Sequence, residues 1–258
     1  MAKDVSVSLA AHVATVVFDR PPQNFFDNAL INAIADAFEK LDADPACRAI
    51  VLASEGKVFC AGADLANRPT TGTASEAAGA TKHLYKEALR LFRIKKPIVA
   101  AIQGAAVGGG LGLAMVADFR IACAETRFSA NFTRLGFHPG FGLTVTLPAV
   151  IGPTKAALMF YTSRRVRGDE AHAMGLADML VPQDEVRAAS LALAAEIAEN
   201  SPLGLIATRA TMRGDLADRV RAATERELAE QTRLRQTEDF KEGVKAMAER
   251  RVPVFSSR

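Results

Sequence analysis

"IVAAIQGAAVGGGLGLAMVADF", residues 98–119, joins an apolar run to a cluster of glycines and then to an apolar helical segment. Residues 98–102 are uninterrupted apolar, the length of a buried strand. Gly108, Gly109, Gly110 and Gly112 follow, although glycine at a helix start costs conformational entropy. Two physical needs explain them. A strand and a helix can pack closely where no Cβ intervenes, or backbone N–H groups at a strand-to-helix junction can stay open for an anionic oxygen. The residues alone leave both readings open. Phosphate cradles fit less well: there is no G-x-x-x-x-G-K-[ST], and a G-x-G-x-x-G counted from Gly108 and Gly110 ends on Leu113.

Working outward, the same alternation recurs. Residues 5–9 and 13–18 read as strands. In "DNALINAIADAFEKLDADP", residues 27–45, Leu30, Ile31, Ile34, Phe38 and Leu41 share one helical face, with Asp27 placed to cap it. The apolar run 49–53 leads to a second glycine turn, "FCAGAD" at 59–64, and "FRIACAE" at 119–125 reads as another short strand. Strands alternating with helices predict an α/β core. From about Ser201 the pattern becomes helix only, with a stripe through Val220, Leu228 and Leu234 that suits packing or an oligomer contact. Domain organisation is therefore expected as a core over 1–200 and a helical region over 201–258.

With 258 residues and 49% apolar composition the chain can bury a sizeable core. Its N-terminus alternates like a strand, and no run approaches the ~18 apolar residues of a membrane span, so a cytoplasmic protein without membrane contact is expected. Cys47, Cys60 and Cys123 lack metal-type spacing and predict buried reduced thiols, with no metal. The net charge is +3, and residues 201–258 alone hold 12 Lys and Arg against 9 Asp and Glu, which equals that excess. Such a balance argues against nucleic acid as the partner but suits an anionic small molecule.

Several stretches together resemble the enoyl-CoA hydratase/isomerase, or crotonase, superfamily. They are the opening stretch with Gly104 and Asp118, "FCAGADL", "RLGFHPGFG", "GLADMLVP" and "DFKEGVKAMAERRVPVF", in family order across nearly the whole chain. The resemblance implies a spiral core of repeated ββα units with a C-terminal helical trimerisation region, assembled as a homotrimer or a hexamer formed from two trimers. It implies no cofactor, an acyl-CoA thioester as substrate, and an oxyanion hole made by the N–H groups of Ala61 and Gly109.

Family hydratases also place two glutamates across the substrate double bond, one for water and one for the α-proton. Aligned on the glycines the first position is Gly112, and aligned on "LGFHPG" the second is Phe132. Both carboxylates are missing. His138 and Asn131 are the candidates for acid–base work or for positioning water, with Ser129, Thr133 and Tyr85 as further polar groups nearby. A related dehalogenase pattern would need an aspartate at Gly140. By resemblance, CoA contacts fall on Asn24 and Phe25 of "RPPQNFF", on Ala61, Ala63, Asp64 and Leu65, on Gly108, Gly109 and Phe132, and on Met247 and Arg250. Asp64 can equally cap a following helix, and His83 can lie on an exposed helix face. The expected function is an acyl-CoA-binding, enolate-stabilising enzyme of hydratase/isomerase type without its usual glutamates. A thioester hydrolase, a decarboxylase and a non-catalytic CoA-ester binder are the alternatives.

Overall fold

A computed structural model of the chain describes residues 4–65 and 84–258. β1 (Val5–Ala10) and β2 (Val13–Phe18) form an antiparallel hairpin. Its turn residues Ala11 and His12 both carry positive φ, the geometry that matches strand twist in a two-residue hairpin. Helix α1 (Asn28–Ala43) starts where the Asp27 carboxylate accepts the Leu30 N–H at 2.9 Å, and all five expected core residues are buried on its inner face. There follow β3 (Ala49–Ser54), α2 (Leu84–Phe92), β4 (Ile98–Ile102), β5 (Ala105–Val107), α3 (Gly109–Ala114), β6 (Phe119–Ala122) and β7 (Arg127–Ser129). The helix start expected at Asp64 runs into residues 66–83 and, like His83, lies outside the described residues.

The second half holds α4 (Leu143–Ile151), α5 (Pro153–Thr162), β8 (Arg165–Arg167), α6 (Gly168–Ala173), β9 (Met179–Leu180) and α7 (Val186–Ala198). Three helices close the chain: α8 (Pro202–Arg213), α9 (Leu216–Leu234) and α10 (Glu238–Ala248). Among the described residues the strands make a six-stranded sheet, β1-β2-β3-β4-β6-β9, and a three-stranded sheet, β5-β7-β8. From β2 onward the large sheet is parallel, so both faces must be covered. Side-chain alternation divides the work: Ile50, Leu52, Ile98 and Ile102 enter the main core, whereas Val51, Ala53, Val99 and Ala101 face the other way against Val186, Ala194 and Ala198 of α7.

The closing helices are fastened to the glycine stretch by one carboxylate. Asp118 accepts the Ile98 N–H at 2.8 Å and pairs with Arg209 at 2.8 Å and Arg213 at 3.0 Å, both on α8. Burial pulls the Arg213 guanidinium below its ordinary range, and the Asp118 charge opposes that shift. Helix α9 departs from the apolar stripe expected of it. Its buried face is Val220, Thr224, Glu227 and Gln231, while Leu228 and Leu234 are only half-buried. The polar groups are inside because they have partners there. Glu227 accepts the N–H groups of Gly142 at 2.8 Å and Thr144 at 3.1 Å, closing the exposed start of α4 from a neighbouring helix. Burial raises its carboxyl above the usual range even against those bonds. No helix among the described residues is long and apolar enough to cross a membrane.

Candidate active site

Two glycine turns, at 59–64 and 108–112, are stitched side by side. The Cys60 N–H donates to Ala105 O at 3.0 Å, and the Val107 N–H donates to Cys60 O at 3.0 Å. These two bonds make the parallel bridge between Cys60 and Ala106, the middle residue of β5. Close approach then requires glycine. A Cβ at Gly110 would lie 2.0 Å from Cys60 O, and one at Gly62 would lie 2.9 Å from Val107 O and 3.4 Å from Gly109 N. Gly62 has φ +82° and Gly108 φ +56°, conformations that an L side chain rarely adopts. The packing need left open by the sequence is therefore met: the turns approach so closely that no Cβ fits between them, and they border a cavity.

That cavity, about 260 Å³, is walled on one side by residues 61–65, Val107, Gly108 and Gly109. Phe25, Asn131, Phe132 and Met247 complete most of the set expected from sequence. Two donors behave differently from one another. The Ala61 N–H is committed to Gln23 O at 3.0 Å, which corrects its assignment as an open donor. The Ala63 and Gly109 N–H groups have no protein acceptor among the described residues. Which amide of "CAGAD" faces the cavity depends on the peptide rotation set by the positive φ at Gly62, and the letters do not encode that rotation.

The positions without carboxylates are filled, not vacant. A Cβ at Gly112 would lie 2.6 Å from Phe141 Cβ. The Phe141 ring packs at centroid distances of 5.7 Å from Phe26, 6.2 Å from Tyr85 and 6.4 Å from Phe92. Phe132 is buried and stacks on Phe137 at 6.5 Å. At Gly140 a Cβ would meet the Tyr85 hydroxyl oxygen at 2.2 Å. The Tyr85 hydroxyl donates to Gln231 Oε1 at 3.0 Å, and burial pushes its ionisation up to about 12, so it is a neutral phenol at ordinary pH.

Three expected site residues lie elsewhere. His138 is half-buried with Nδ1 2.7 Å from Pro139 O, and it lines a different groove, beside Thr144 and Pro148. Gln231 Nε2 donates to the His138 carbonyl at 2.8 Å. Asn24 is 1% exposed, and its amide is spent inside the loop: Nδ2 donates to Glu55 O at 2.8 Å and Val58 O at 2.7 Å, while Oδ1 accepts the Arg20 N–H at 2.8 Å. It shapes "RPPQNFF" and lines neither the cavity nor the hollow that this loop borders. Arg250 is absent from the cavity wall and lines an adjoining groove instead, with Met247 and Asn131.

The structure adds residues that the motifs did not single out. Phe26 bonds Gly62 O through its N–H at 2.9 Å, and its ring sits where a Gly109 Cβ would be, at 2.3 Å from Cζ. Arg165 and Arg235 also reach the cavity wall, and the Arg235 guanidinium lies 5.1 Å over the Phe137 ring. The doubled arginine in "SRRVRG" was the only written signal for Arg165. A second hollow of about 340 Å³ is bordered by the "RPPQNFF" loop together with Ala63 and Asp64. Among the described residues no His, Cys, Asp and Glu side chains are grouped to hold a metal ion.

Comparison with known proteins agrees with this architecture. The family model "Enoyl-CoA hydratase/isomerase" matches residues 8–258. The mevalonyl-coenzyme A hydratase of Beauveria bassiana is 33% identical over 255 residues, covering 95% of this chain and 91% of that one. A crystal structure of an enoyl-CoA hydratase/isomerase from Pseudoalteromonas atlantica superposes with TM-score 0.89 at 29% identity, covering 98% of this chain and all of its own. Carnitinyl-CoA hydratase from Mycobacterium avium superposes with TM-score 0.86 at 31% identity, with both chains fully covered. With the family match spanning the spiral core and the closing helices alike, the chain belongs to the enoyl-CoA hydratase/isomerase family.

Proposed function

We propose that this protein binds an acyl-CoA thioester and polarises its carbonyl between the N–H groups of Ala63 and Gly109. The observation that carries the reading is the pair of neighbouring amides, both without a protein acceptor among the described residues, on the wall of one largely apolar cavity. Donors aimed at one oxygen in such surroundings stabilise the negative charge that develops when a thioester becomes an enolate, and each is worth about 100- to 1000-fold in rate. The "RPPQNFF" loop, Asp64 and the hollow they border form the path for pantetheine.

Ordinary two-glutamate hydration does not fit this chain. Neither Gly112 nor Phe132 can activate water or move the α-proton, and the Phe141 and Phe132 rings occupy the ground where such carboxylates would stand. The reading is therefore of a hydratase/isomerase relative that retains thioester polarisation and uses other groups around it. Tyr85 on the cavity wall is a neutral phenol whose O–H donates to Gln231, and Asn131 is a polar group beside Gly108. Thioester hydrolysis, decarboxylation and binding without turnover each use the same polarised carbonyl. Assembly as a trimer or hexamer in the cytoplasm is part of the same proposal.

Infrared difference spectroscopy with a carbonyl-labelled butyryl-CoA tests the reading directly. Saturable binding with a downward shift of the thioester C=O stretch is expected. Binding without that shift, or no binding by calorimetry, overturns it. A product screen across enoyl-, malonyl- and saturated acyl-CoA esters then separates the reaction classes.

A further inference from the structure

The reaction cavity has two neighbours. It shares Phe25, Phe26, Ala63 and Asp64 with the hollow under "RPPQNFF", and Val107, Asn131, Leu135, Arg165 and Met247 with a groove of about 910 Å³. Arg134, Arg164, Arg165, Arg250 and Arg251 line this groove, and no Asp or Glu does. Two of the five are neutralised: Arg164 pairs with Glu170 at 2.9 Å, and Arg251 with Glu242 and Glu249. Arg134, Arg165 and Arg250 have no carboxylate partner among the described residues. Uncompensated positive charge beside a substrate cavity attracts an anion.

Of these three, Arg165 alone also lines the reaction cavity. Its place is set by the small sheet. Val107 pairs with Ser129 across β5 and β7, and Ser129 pairs with Arg165 across β7 and β8, so the three stand in one row. Two strand spacings put the Arg165 Cα about 10 Å from that of Val107, within reach of an extended arginine side chain. Val107 immediately precedes Gly108 and Gly109. Asn131, two residues past Ser129, places its Oδ1 3.2 Å from where a Gly108 Cβ would be. Its side chain, like that of Arg165, has no protein hydrogen-bond partner among the described residues and borders both spaces.

We infer that the acyl group bound here carries a second anionic group, a carboxylate at its far end, read by the Arg165 guanidinium with the Asn131 amide beside it. This rests on the thioester reading above: with the carbonyl at Ala63 and Gly109 and pantetheine toward "RPPQNFF", the acyl chain points to the groove. A planar guanidinium fork matches a carboxylate with two parallel bonds, which a neutral acyl end cannot use. The row Val107–Ser129–Arg165 keeps the span short, so the substrate class is a short-chain dicarboxylic acid held as its mono-CoA thioester.

Calorimetric titration of the full chain with succinyl-CoA and with butyryl-CoA, matched at four acyl carbons, tests this. In the wild type succinyl-CoA should bind about ten- to a hundredfold tighter, the size of a charge-assisted bond. Arg165→Gln should erase that preference while leaving butyryl-CoA affinity within about twofold, and Arg165→Lys should keep part of it. Equal affinity of the wild type for both esters overturns the inference. So does a Gln variant that weakens both esters alike, which would assign the guanidinium to the phosphates of CoA. Binding of neither ester overturns the thioester reading itself, an outcome separate from loss of discrimination.

Discussion

The Cβ that any side chain at Gly112 would add falls 2.6 Å from Cβ of Phe141 and 2.7 Å from its Cγ. Phe141 is itself held at φ +63° and 1% exposed, so it has little freedom to withdraw. The absent glutamate is thus built into the packing of the neighbouring loop, and restoring the letter does not restore the site. Gly112→Ala is expected to cost about 1–3 kcal/mol through overpacking, and Gly112→Glu more. Urea unfolding of both variants checks this. Gly112→Glu with wild-type stability and new hydratase activity toward crotonyl-CoA would contradict the packing account.

Asp118 holds α8 to the start of β4 through Arg209 and Arg213, which are 8% exposed and half-buried respectively. Removing the carboxylate leaves two guanidinium groups enclosed without their counter-charge. Asp118→Ala should destabilise the fold by about 3–5 kcal/mol. Asp118→Asn, which keeps an acceptor for the Ile98 N–H, should lose less. Denaturant midpoints for the two variants decide it, and a loss below about 1 kcal/mol in both would show the pairs to be incidental.

His138 and Asn24 make a contrasting pair. His138→Ala should leave acyl-CoA affinity within about twofold and its pH dependence unchanged, because the imidazole lines another groove. Asn24→Ala should cost about 1–3 kcal/mol of stability, since it strands the carbonyls of Glu55 and Val58. Acyl-CoA affinity should fall with it as the "RPPQNFF" loop loosens. Parallel calorimetry and thermal melts on both variants read the difference. A His138→Ala protein that binds normally but loses all turnover would return the histidine to the chemistry.

Tyr85 gives a pH signature. The phenol ionises near 10 in an unfolded chain and is pushed up to about 12 in the folded one, with burial the largest cause. The folded state holds its proton more tightly. The stability this provides is therefore full below pH 10 and is lost as pH rises to about 12, to the order of 2–3 kcal/mol. The chain has two tyrosines and no tryptophan, so a Tyr161→Phe background leaves the phenolate absorbance of Tyr85 alone. That signal should appear near pH 12, and Tyr85→Phe should flatten the alkaline loss of stability. Ionisation near pH 10 without unfolding would contradict the buried phenol.

Much of this molecule was legible in its letters because the relevant physics is local. The strand over residues 13–18, the strand over 98–102, the Asp27 cap and the inner face of α1 follow from periodicity and capping within a few residues. The pairing of the two glycine turns and the absence of both glutamates were implied by the family resemblance that the motifs carry. What tertiary structure decided lies where distant segments compete for one space or one hydrogen bond. Ala61 and Ala63 look alike in sequence, and only the partner Gln23 O and the rotation at Gly62 separate them. His138 sits in a motif beside the site, yet the bond from Gln231, 93 residues away, goes to its carbonyl, and its ring faces another groove. Glu227 and Gln231 occupy a face where an apolar stripe was expected, because their partners on α2, α4 and the preceding loop are contributed by other segments. Arg165 carried no motif, and the register of three short strands brought it to the cavity. Local propensity writes the elements, whereas which polar group is left unpaired at a shared wall depends on every chain segment that arrives there.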